Sequence, residues 1–433
     1  MSQIKAPKGT KDLLPGQAYK WQFVEAAFKE AAGQYGFKEI RTPVIEHTEL
    51  FARGIGSATD VVEKQMYTFE DYGGRSITLR PEGTAGAVRA YLESKLYAET
   101  RPAKLWYEIA CFRYEKPQSG RLREFHQFGV EIFGSHDMLA DAEAIALADG
   151  FLRGLGILEL SLNINSIGCP ECRPVYRKQL MDYLSGHYEQ LCDTCKSRYE
   201  RNPMRILDCK SPVCREIAAG APVMLDHLCD GCAADFEALK ANLSALGVAF
   251  EVDARIVRGL DYYTKTAFEF VSGQIGAQGT VCGGGRYDHL MKELGGEDIP
   301  GVGFGLGIER LLLVLEASGV RIPGPKAPDA LVVYLDAGAG KAEALRLAAS
   351  LREAGLRAEV DTGGRAMKGQ FKYADRIGAR HCVVLGEEEL SSREATLKDM
   401  ATGEQRRVAF GDVAQHLSCR AIPVIPGADP ESR

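Results

Sequence analysis

Apolar positions along the first hundred residues switch between two periods. Val24, Ala27, Phe28 and Ala31 recur at helical spacing, with Gly36 placed to end that helix. "EIRTPVIEHTELF" reads as a strand with Pro43 inside it. Proline removes a ladder donor, so this strand belongs at a sheet edge or a subunit contact. "SITLRPEGTAGAVRAYL" reads as a strand, a turn from Pro81 to Gly83, and a helix whose first turn follows Thr84. Strands at 106–114 and 124–133 flank the polar loop "EKPQSGRLR", a hairpin with a long, mobile connection. After an insert at about 167–245, strands resume at 249–257, 262–271 and 278–282, followed by "GGGRYD" and "IPGVGFGLGIERLLLVLE". Strands that follow one another without regular helical alternation predict an α+β fold, a mostly antiparallel sheet with helices.

Past the Pro-rich "PGPKAPDA" the pattern changes. "ALVVYL", "KAEALRLAASLREAG", "RAEVD", "GQFKYADRIGA" and "HCVVLG" alternate strand and helix, the pattern of a small parallel α/β domain. The predicted organisation is a first domain at 1–325 carrying the insertion 167–245, a second at 328–420, and a frayed tail at 424–433. Composition changes this picture little: 433 residues, 45% hydrophobic and 26% charged, suit a soluble protein of two or three domains. No apolar run is long enough to span a membrane, and "MSQIKAPKGTKDLLPG" lacks a signal core, so the expected location is cytoplasmic. The net charge of −6 argues against an all-over basic coat but leaves room for local phosphate contacts. Twelve cysteines are many for such a chain, and eight fall as Cys169/Cys172, Cys192/Cys195, Cys209/Cys214 and Cys229/Cys232. Eight thiols can fill two tetrahedral Zn2+ sites, or stay reduced in a small helical insert. A reducing compartment disfavours disulfides.

Candidate chemistry gathers on strand faces. Phe125, Gln127, Gly129 and Glu131 share one face of their strand, while Phe128, Val130 and Ile132 face a core. Cys111, Arg113 and Glu115 share a face of the partner strand, and Gly129 reads as the floor for a ligand. Gly301, Gly303, Gly305 and Gly307 leave one face of their strand bare, room for a planar ring that Arg310 could cover. Arg113, Arg121, Arg258 and Arg310 supply always-charged forks for a polyphosphate. There is no G-x-x-x-x-G-K-[ST] and no G-x-G-x-x-G before a helix, so a nucleotide would lie on an antiparallel sheet. "RGLDYYTKTAFEF" reads as a buried strand with unusual polar content. Arg258 and Tyr263 have opposite parity in it, so Gly259 or a bulge must redirect one of them.

"FRYE" with "GRLREFHQFGVEIFG" resembles motif 2 of class II aminoacyl-tRNA synthetases. "GVGFGLGIERL" resembles their motif 3, and the Pro43 strand their dimer-forming motif 1. Within that class "RGLDYYTKTAFEF" and "GGGRYD" resemble the two signature blocks of histidyl-tRNA synthetases, and "TLRPEGT" and "GTKDLLPG" agree. The resemblance implies activation of L-histidine by ATP, accompanied by Mg2+, to histidyl-adenylate, then transfer to the 3′ end of tRNA(His) by a homodimer. It implies that Arg113 holds the histidine carboxylate and the α-phosphate, and that Glu115 contacts adenine. Phe125 and Arg310 would sandwich that ring, while Arg121 and Arg310 take the γ-phosphate. Glu82, Gly83 and Thr84 form the histidine side, with Glu82 and Thr84 on the α-amino group and Gln127 near the carboxylate. Glu131 and Tyr263 would bond the imidazole nitrogens, and Tyr262 would line that pocket. Arg258, itself among the histidine-binding residues, would act with Arg113 as a catalytic cation, reaching the α-phosphate where related synthetases use a metal.

Lys116, Gln118 and Arg123 would meet the tRNA acceptor end. Lys368, Lys372, Arg376 and Arg380 form a basic stripe in the region that resembles an anticodon-binding module. A regulatory subunit of histidine biosynthesis resembles the same catalytic domain and binds histidine without activating it. It lacks the C-terminal module and departs from the ATP motifs, both of which this chain keeps. Threonyl and prolyl enzymes share a similar C-terminal domain, but "LDYYT" and "GGGRYD" argue against them.

Overall fold

The computed structural model describes residues 3–57, 59–335 and 338–418. The expected tail at 424–433 lies outside them, as do positions 419 and 420 of the second domain. The chain divides into two compact units at Pro323 and Gly324. Eight strands make the main sheet of the first unit: β1 (Lys38–Glu39), β2 (Ala103–Phe112), β3 (Glu124–Phe133), β4 (Ser161–Ser166), β5 (Glu251–Val252), β6 (Thr264–Val271), β7 (Thr280–Arg286) and β8 (Gly301–Gly307). Their order is β1-β2-β3-β8-β7-β6-β4-β5. Every pairing from β2 across to β4 is antiparallel, and the two short edge strands add in parallel.

Helices α1 (Pro15–Gln34), α2 (Thr84–Glu93), α3 (Met138–Gly154) and α4 (Ile308–Ala317) cover this sheet. Proline opens α1, and Trp21, Val24, Phe28 and Ala32 form its buried stripe. Phe28 stacks on Phe128 with ring centroids 4.3 Å apart and meets Trp106 edge-on at 5.9 Å. Phe128, Val130 and Ile132 share that core with residues of α1, α3 and α4. The opposite face of the sheet carries a second core, in which Ala87, Val88 and Tyr91 of α2 meet Leu105, Tyr107 and Ile109 of β2. The functional cavity opens on this second face.

Several boundaries differ from the sequence reading, each for a local reason. "EIRTPVIEHTELF" is not one strand: it splits into Lys38–Glu39, a break at Pro43, Ile45–His47 and a helix Thr48–Ile55. Leu50, Phe51 and Ile55 bury one side of that helix. Ile45–His47 pairs with Ser76–Leu79 in a separate three-stranded sheet. Val44 and Ile45 remain 40% and 55% exposed, apolar surface of the kind a subunit contact covers. The strand expected at 249–257 is only Glu251–Val252, because a turn follows at once, with Ile256 N donating to Asp253 O at 3.1 Å. The strand expected from 262 begins at Thr264, whereas the one expected to end at 282 runs on through Arg286.

In the second unit the sheet order is Ala358–Val360, Ala330–Tyr334, His381–Leu385, Glu394–Asp399, Gln405–Ala409. The first three are parallel as expected, but the last two are antiparallel, so the sheet is mixed. Lys368, Lys372 and Arg376 are exposed on the helix Met367–Ile377. Arg380 lies beyond its end, 3.4 Å from Asp329, and does not extend the stripe. Among the described residues no helix is long and apolar enough to cross a membrane.

One buried cation ties β7 to α3. Arg286 is fully buried and pairs with Asp141, with further bonds from Nη1 to Asp288 Oδ1 at 3.1 Å and Ser135 O at 2.8 Å. Removing the guanidinium strands Asp141 in a medium that cannot solvate it. Arg286→Ala should therefore cost about 3–5 kcal/mol of stability. Urea unfolding reads this as a lower midpoint at unchanged slope. A midpoint matching the parent's would show the pair contributes nothing.

Candidate active site

Glycine places the floor of the site. A Cβ on Gly83 would stand 2.4 Å from the ring of Tyr107, and one on Gly129 2.3 Å from it. Gly129 is therefore no floor for a ligand, as the bare position had implied; the Tyr107 ring fills its space. The glycine strand β8 is likewise half occupied. A Cβ on Gly301 would meet the Tyr287 ring at 2.3 Å, and one on Gly303 would meet Glu131 Oε2 at 2.1 Å. Only its far end remains open, at Gly305 and Gly307.

Between those rings lies Glu131, fully buried. Its Oε1 accepts from Tyr107 OH at 2.8 Å, and its Oε2 from Tyr287 OH. Burial pushes its carboxyl up to about 8, although the hydroxyls of Tyr287, Thr84 and Tyr107 favour the charged form. Glu131 does not reach the cavity wall; Tyr107, Tyr262 and Tyr263 do. The Tyr262 and Tyr263 rings lie 4.6 Å apart, and Tyr287 stands edge-on to both.

The cavity above encloses about 390 Å³. On one side Glu82, at the start of α2, accepts from the N–H groups of Thr84 and Ala85 at 2.8 Å each. These donors hold its charge against burial, which raises its pKa. Tyr262 OH lies 3.4 Å from the same carboxylate. Facing it are Arg113, Arg121, Arg258 and Arg310, all on the cavity wall. Arg113 is set by Nε donating to Pro81 O at 2.8 Å and lies 5.3 Å over the Phe125 ring. Arg310 donates to Gly120 O at 3.2 Å and Thr280 O at 2.7 Å, with its pKa lowered by burial and by neighbouring Arg121. Arg121 pairs with Glu115, so the two residues assigned to opposite ends of a nucleotide touch each other here.

Arg258 and Tyr263 precede β6 in an irregular segment, so strand parity never applies to them. Arg258 lies 5.3 Å over the Tyr263 ring and against the bare backbone of Gly283, where a Cβ would meet Nη2 at 2.7 Å. It pairs with Glu269, and its Nε is buried without a hydrogen-bond partner. A buried donor left unmatched costs about 1–3 kcal/mol. Gln127 is half-buried on the wall, its Oε1 3.5 Å from Cys111 Sγ. Of the loop residues, Lys116 and Gln118 are exposed, whereas Arg123 folds back to stack 3.8 Å over Tyr114 and bonds Glu115 O. Arg123 is thus built into the base of the loop.

The family model for histidyl-tRNA synthetase matches residues 9–171 and 216–311, and that for the anticodon binding domain matches 329–420. The histidine--tRNA ligase of Caldanaerobacter subterraneus subsp. tengcongensis is 56% identical over 95% of this chain and 99% of that protein. That of Acetivibrio thermocellus is 52% identical over the same shares. The crystal structure of apo S. aureus histidyl-tRNA synthetase superimposes with a TM-score of 0.81 at 39% identity, covering 96% of this chain and all of that one.

The chain belongs to the histidyl-tRNA synthetase family. It has the class II fold, and these matches favour the ligase over the regulatory paralogue, which was the competing reading.

The synthetase fold uses residues that sequence patterns passed over. Tyr107 and Tyr287 hold Glu131, and Glu269 holds Arg258. Alternation along "LWYEIACF" placed Tyr107 on the face of Cys111, and "GGGRYD" contains Tyr287, so both signals were present. Gln65, on the cavity wall with a buried and unpartnered Oε1, gave no signal. The eight clustered cysteines sort into an outer tetrad, Cys169, Cys172, Cys229 and Cys232, and an inner one, Cys192, Cys195, Cys209 and Cys214. The inner tetrad lies wholly between the two spans matched by the synthetase model.

The raised pKa of Glu131 has a sign that can be checked. Between its ordinary value of 4.5 and about 8 the unfolded chain releases this proton while the folded chain keeps it. Stability should fall as pH rises through that window, by roughly 1 kcal/mol per unit for one proton. Glu131→Gln removes the titration. Its stability relative to the parent should improve steadily from about pH 5 to about pH 8. A pH-independent difference in urea unfolding would contradict the assignment.

Proposed function

We propose that this cavity joins L-histidine to ATP and then passes histidine to the 3′ end of tRNA(His). The observation that carries this is the cavity wall itself, where Arg113, Arg121, Arg258 and Arg310 stand together with Glu82, Tyr262 and Tyr263. Glu82 and the two tyrosines Tyr262 and Tyr263 mark the amino-acid end. Glu82, with Gly83 and Thr84, receives the α-amino group, and Gln127 and Arg113 the carboxylate. Glu131 and Tyr263 serve the imidazole, Glu131 through a small shift of the Tyr107 and Tyr287 rings that cover it. The purine lies on Gly305 and Gly307, between Phe125 and Arg310, with Glu115 at its edge. Arg121 and Arg310 take the far phosphate. Magnesium comes with ATP, and Glu269 on the wall is a hard oxygen donor of the kind it takes.

In the first step a histidine carboxylate oxygen attacks the α-phosphorus. The new carboxyl–phosphate bond forms as the bond to pyrophosphate breaks, and pyrophosphate leaves with its electron pair. In the second, a terminal ribose hydroxyl of tRNA attacks the carbonyl and AMP leaves. No protein nucleophile is required. The arginines act by position and charge, Arg258 and Arg113 meeting the oxygens on which negative charge grows. A site that pairs both imidazole nitrogens leaves buried groups unpaired when another side chain enters, enough to discriminate by about 10⁴ without editing.

The mobile-loop residues Lys116 and Gln118 face the acceptor end, joined by Arg123 at the loop's base. The second unit, with Lys368, Lys372 and Arg376 exposed on one helix, serves the anticodon stem. The exposed Val44 and Ile45 beside Pro43 pack against a second copy, giving a homodimer that works in the cytoplasm. Zinc occupies the two thiol tetrads as a structural metal.

The test is ATP–pyrophosphate exchange with each amino acid in turn. Exchange is expected with histidine alone, and exchange with none, despite histidine binding, would return the regulatory reading. Arg258→Ala should lower exchange by about 10²–10³ while leaving histidine affinity nearly intact. Equal losses in both would remove its role at the transition state.

A further inference from the structure

The insertion carries a small, cysteine-rich core of its own, while its last helix, Asp230–Ala245, packs Phe236, Leu239 and Leu243 into the main core. Of the eleven fully buried residues in its cluster, four are cysteines: Cys172, Cys195, Cys214 and Cys232. Small domains of this kind rely on a metal or a cross-link. Here the four sulfurs of each tetrad all lie within 4.8 Å of one another. Cys169 and Cys172 are 3.7 Å apart, Cys169 and Cys229 3.9 Å, Cys192 and Cys209 3.8 Å. Zinc–sulfur bonds of about 2.3 Å give a tetrahedron with edges of about 3.8 Å. Backbone N–H groups already face the sulfurs, Cys229 N to Cys172 Sγ at 3.1 Å and Cys192 N to Cys214 Sγ at 3.3 Å, as thiolate ligands require.

The chain between Cys195 and Cys209 reaches out of this insert to the catalytic core. Arg205 Nη1 donates to the backbone O of Arg258 at 3.0 Å, and Asn202 Nδ2 to Asp261 Oδ1 at 2.9 Å. Arg198 pairs with Asp60 at 2.7 Å and Arg201 with Glu63 at 2.6 Å. The outer tetrad makes a matching contact: Arg173, next to Cys172, donates to Tyr263 O. The segment 256–263 receiving these bonds has no strand ladder of its own. It has the catalytic cavity on one side and a cleft of about 510 Å³, lined by Arg173, Met204 and Leu260, on the other.

We propose that zinc in the inner tetrad is a clamp that positions the Arg258–Tyr263 loop from behind, so that adenylation depends on a metal remote from the reacting atoms. This rests on the synthetase reading for its consequence, and on zinc occupancy for its cause. Arg205 and Asn202 are the positioning residues. The clamp acts on the backbone of Arg258 and the side chain of Asp261, so losing it should lower kcat more than it raises the histidine KM.

Native mass spectrometry of the full chain should find two zinc ions, and the double variant Cys192→Ser, Cys195→Ser only one. Hydrogen exchange of residues 256–263 should then accelerate about tenfold or more, the loss expected for a single bond to a charged group. Pyrophosphate exchange should fall by a similar factor. Asn202→Ala with Arg205→Met, which leaves every thiol in place, should keep two zinc ions, loosen the same segment and lower kcat alike. Zinc-free folded parent protein overturns the proposal. So does a positioning variant whose 256–263 segment exchanges at the parent rate. Hydrogen exchange reads the loop without catalysis, so failure of the clamp is distinct from failure of the histidine reaction.

Discussion

A Cβ cannot exist at Gly303, because it would stand 2.1 Å from Glu131 Oε2 and 2.2 Å from Val130 O. The same exclusion holds at Gly301 and Gly129, against Tyr287 and Tyr107. The whole site hangs on this close approach of rings to bare backbone. With the rings flat on the sheet, two phenols reach one buried carboxyl and satisfy both its oxygens. Tyr287, so placed, then stands edge-on to Tyr262 and Tyr263, which line the cavity wall. One further glycine, Gly283, makes room for the Arg258 guanidinium. Side-chain volume is withheld from the middle strands so that aromatic and charged groups from their neighbours can occupy it.

This explains what the sequence made legible and what it did not. Period-two alternation in "GRLREFHQFGVEIFG" separated Glu131 and Gln127 from Phe128 and Val130 correctly, since β3 is a regular strand paired on both sides. Four alternating glycines announced a bare face, but which half of it stays open depends on Tyr287 and Glu131, which arrive from other strands. No local pattern encodes that. "RGLDYYTKTAFEF" misled for the opposite reason. Its β-branched and aromatic content is strand-like, yet a tertiary bond, Asp261 N to Ile55 O at 3.0 Å, and bonds from the insert take its backbone donors and acceptors away from the ladder. The antiparallel hairpin at the end of the second unit was missed because Thr396, Lys398, Arg406 and Arg407 dilute its apolar alternation to Ala395, Leu397 and Val408.

Charge sets the remaining constraint. Four guanidinium groups around one cavity repel, and burial adds a desolvation cost, as the lowered pKa of Arg310 records. Carboxylates hold Arg258 and Arg121, Glu269 the first and Glu115 the second. Those partners keep the cations in place before any phosphate arrives, which is the preorganisation that electrostatic catalysis needs. They do not saturate them: the Nε of Arg258 stays unpartnered in a buried position.

Regular strands carry Glu131, Gln127 and Glu269, and Glu82 is fixed by the first N–H groups of α2. Arg258, Tyr262 and Tyr263 sit on a segment without ladder bonds, and a segment of that kind opens locally at little cost unless something else holds it. The bonds that do so come from residues bracketed by cysteines. A support that is itself an insert with a small, thiol-rich core is only as firm as whatever joins those thiols. On the proposed clamp, the placement of Arg258 is therefore inherited, through Arg205 and Asn202, from sulfur atoms that stand outside the cavity wall.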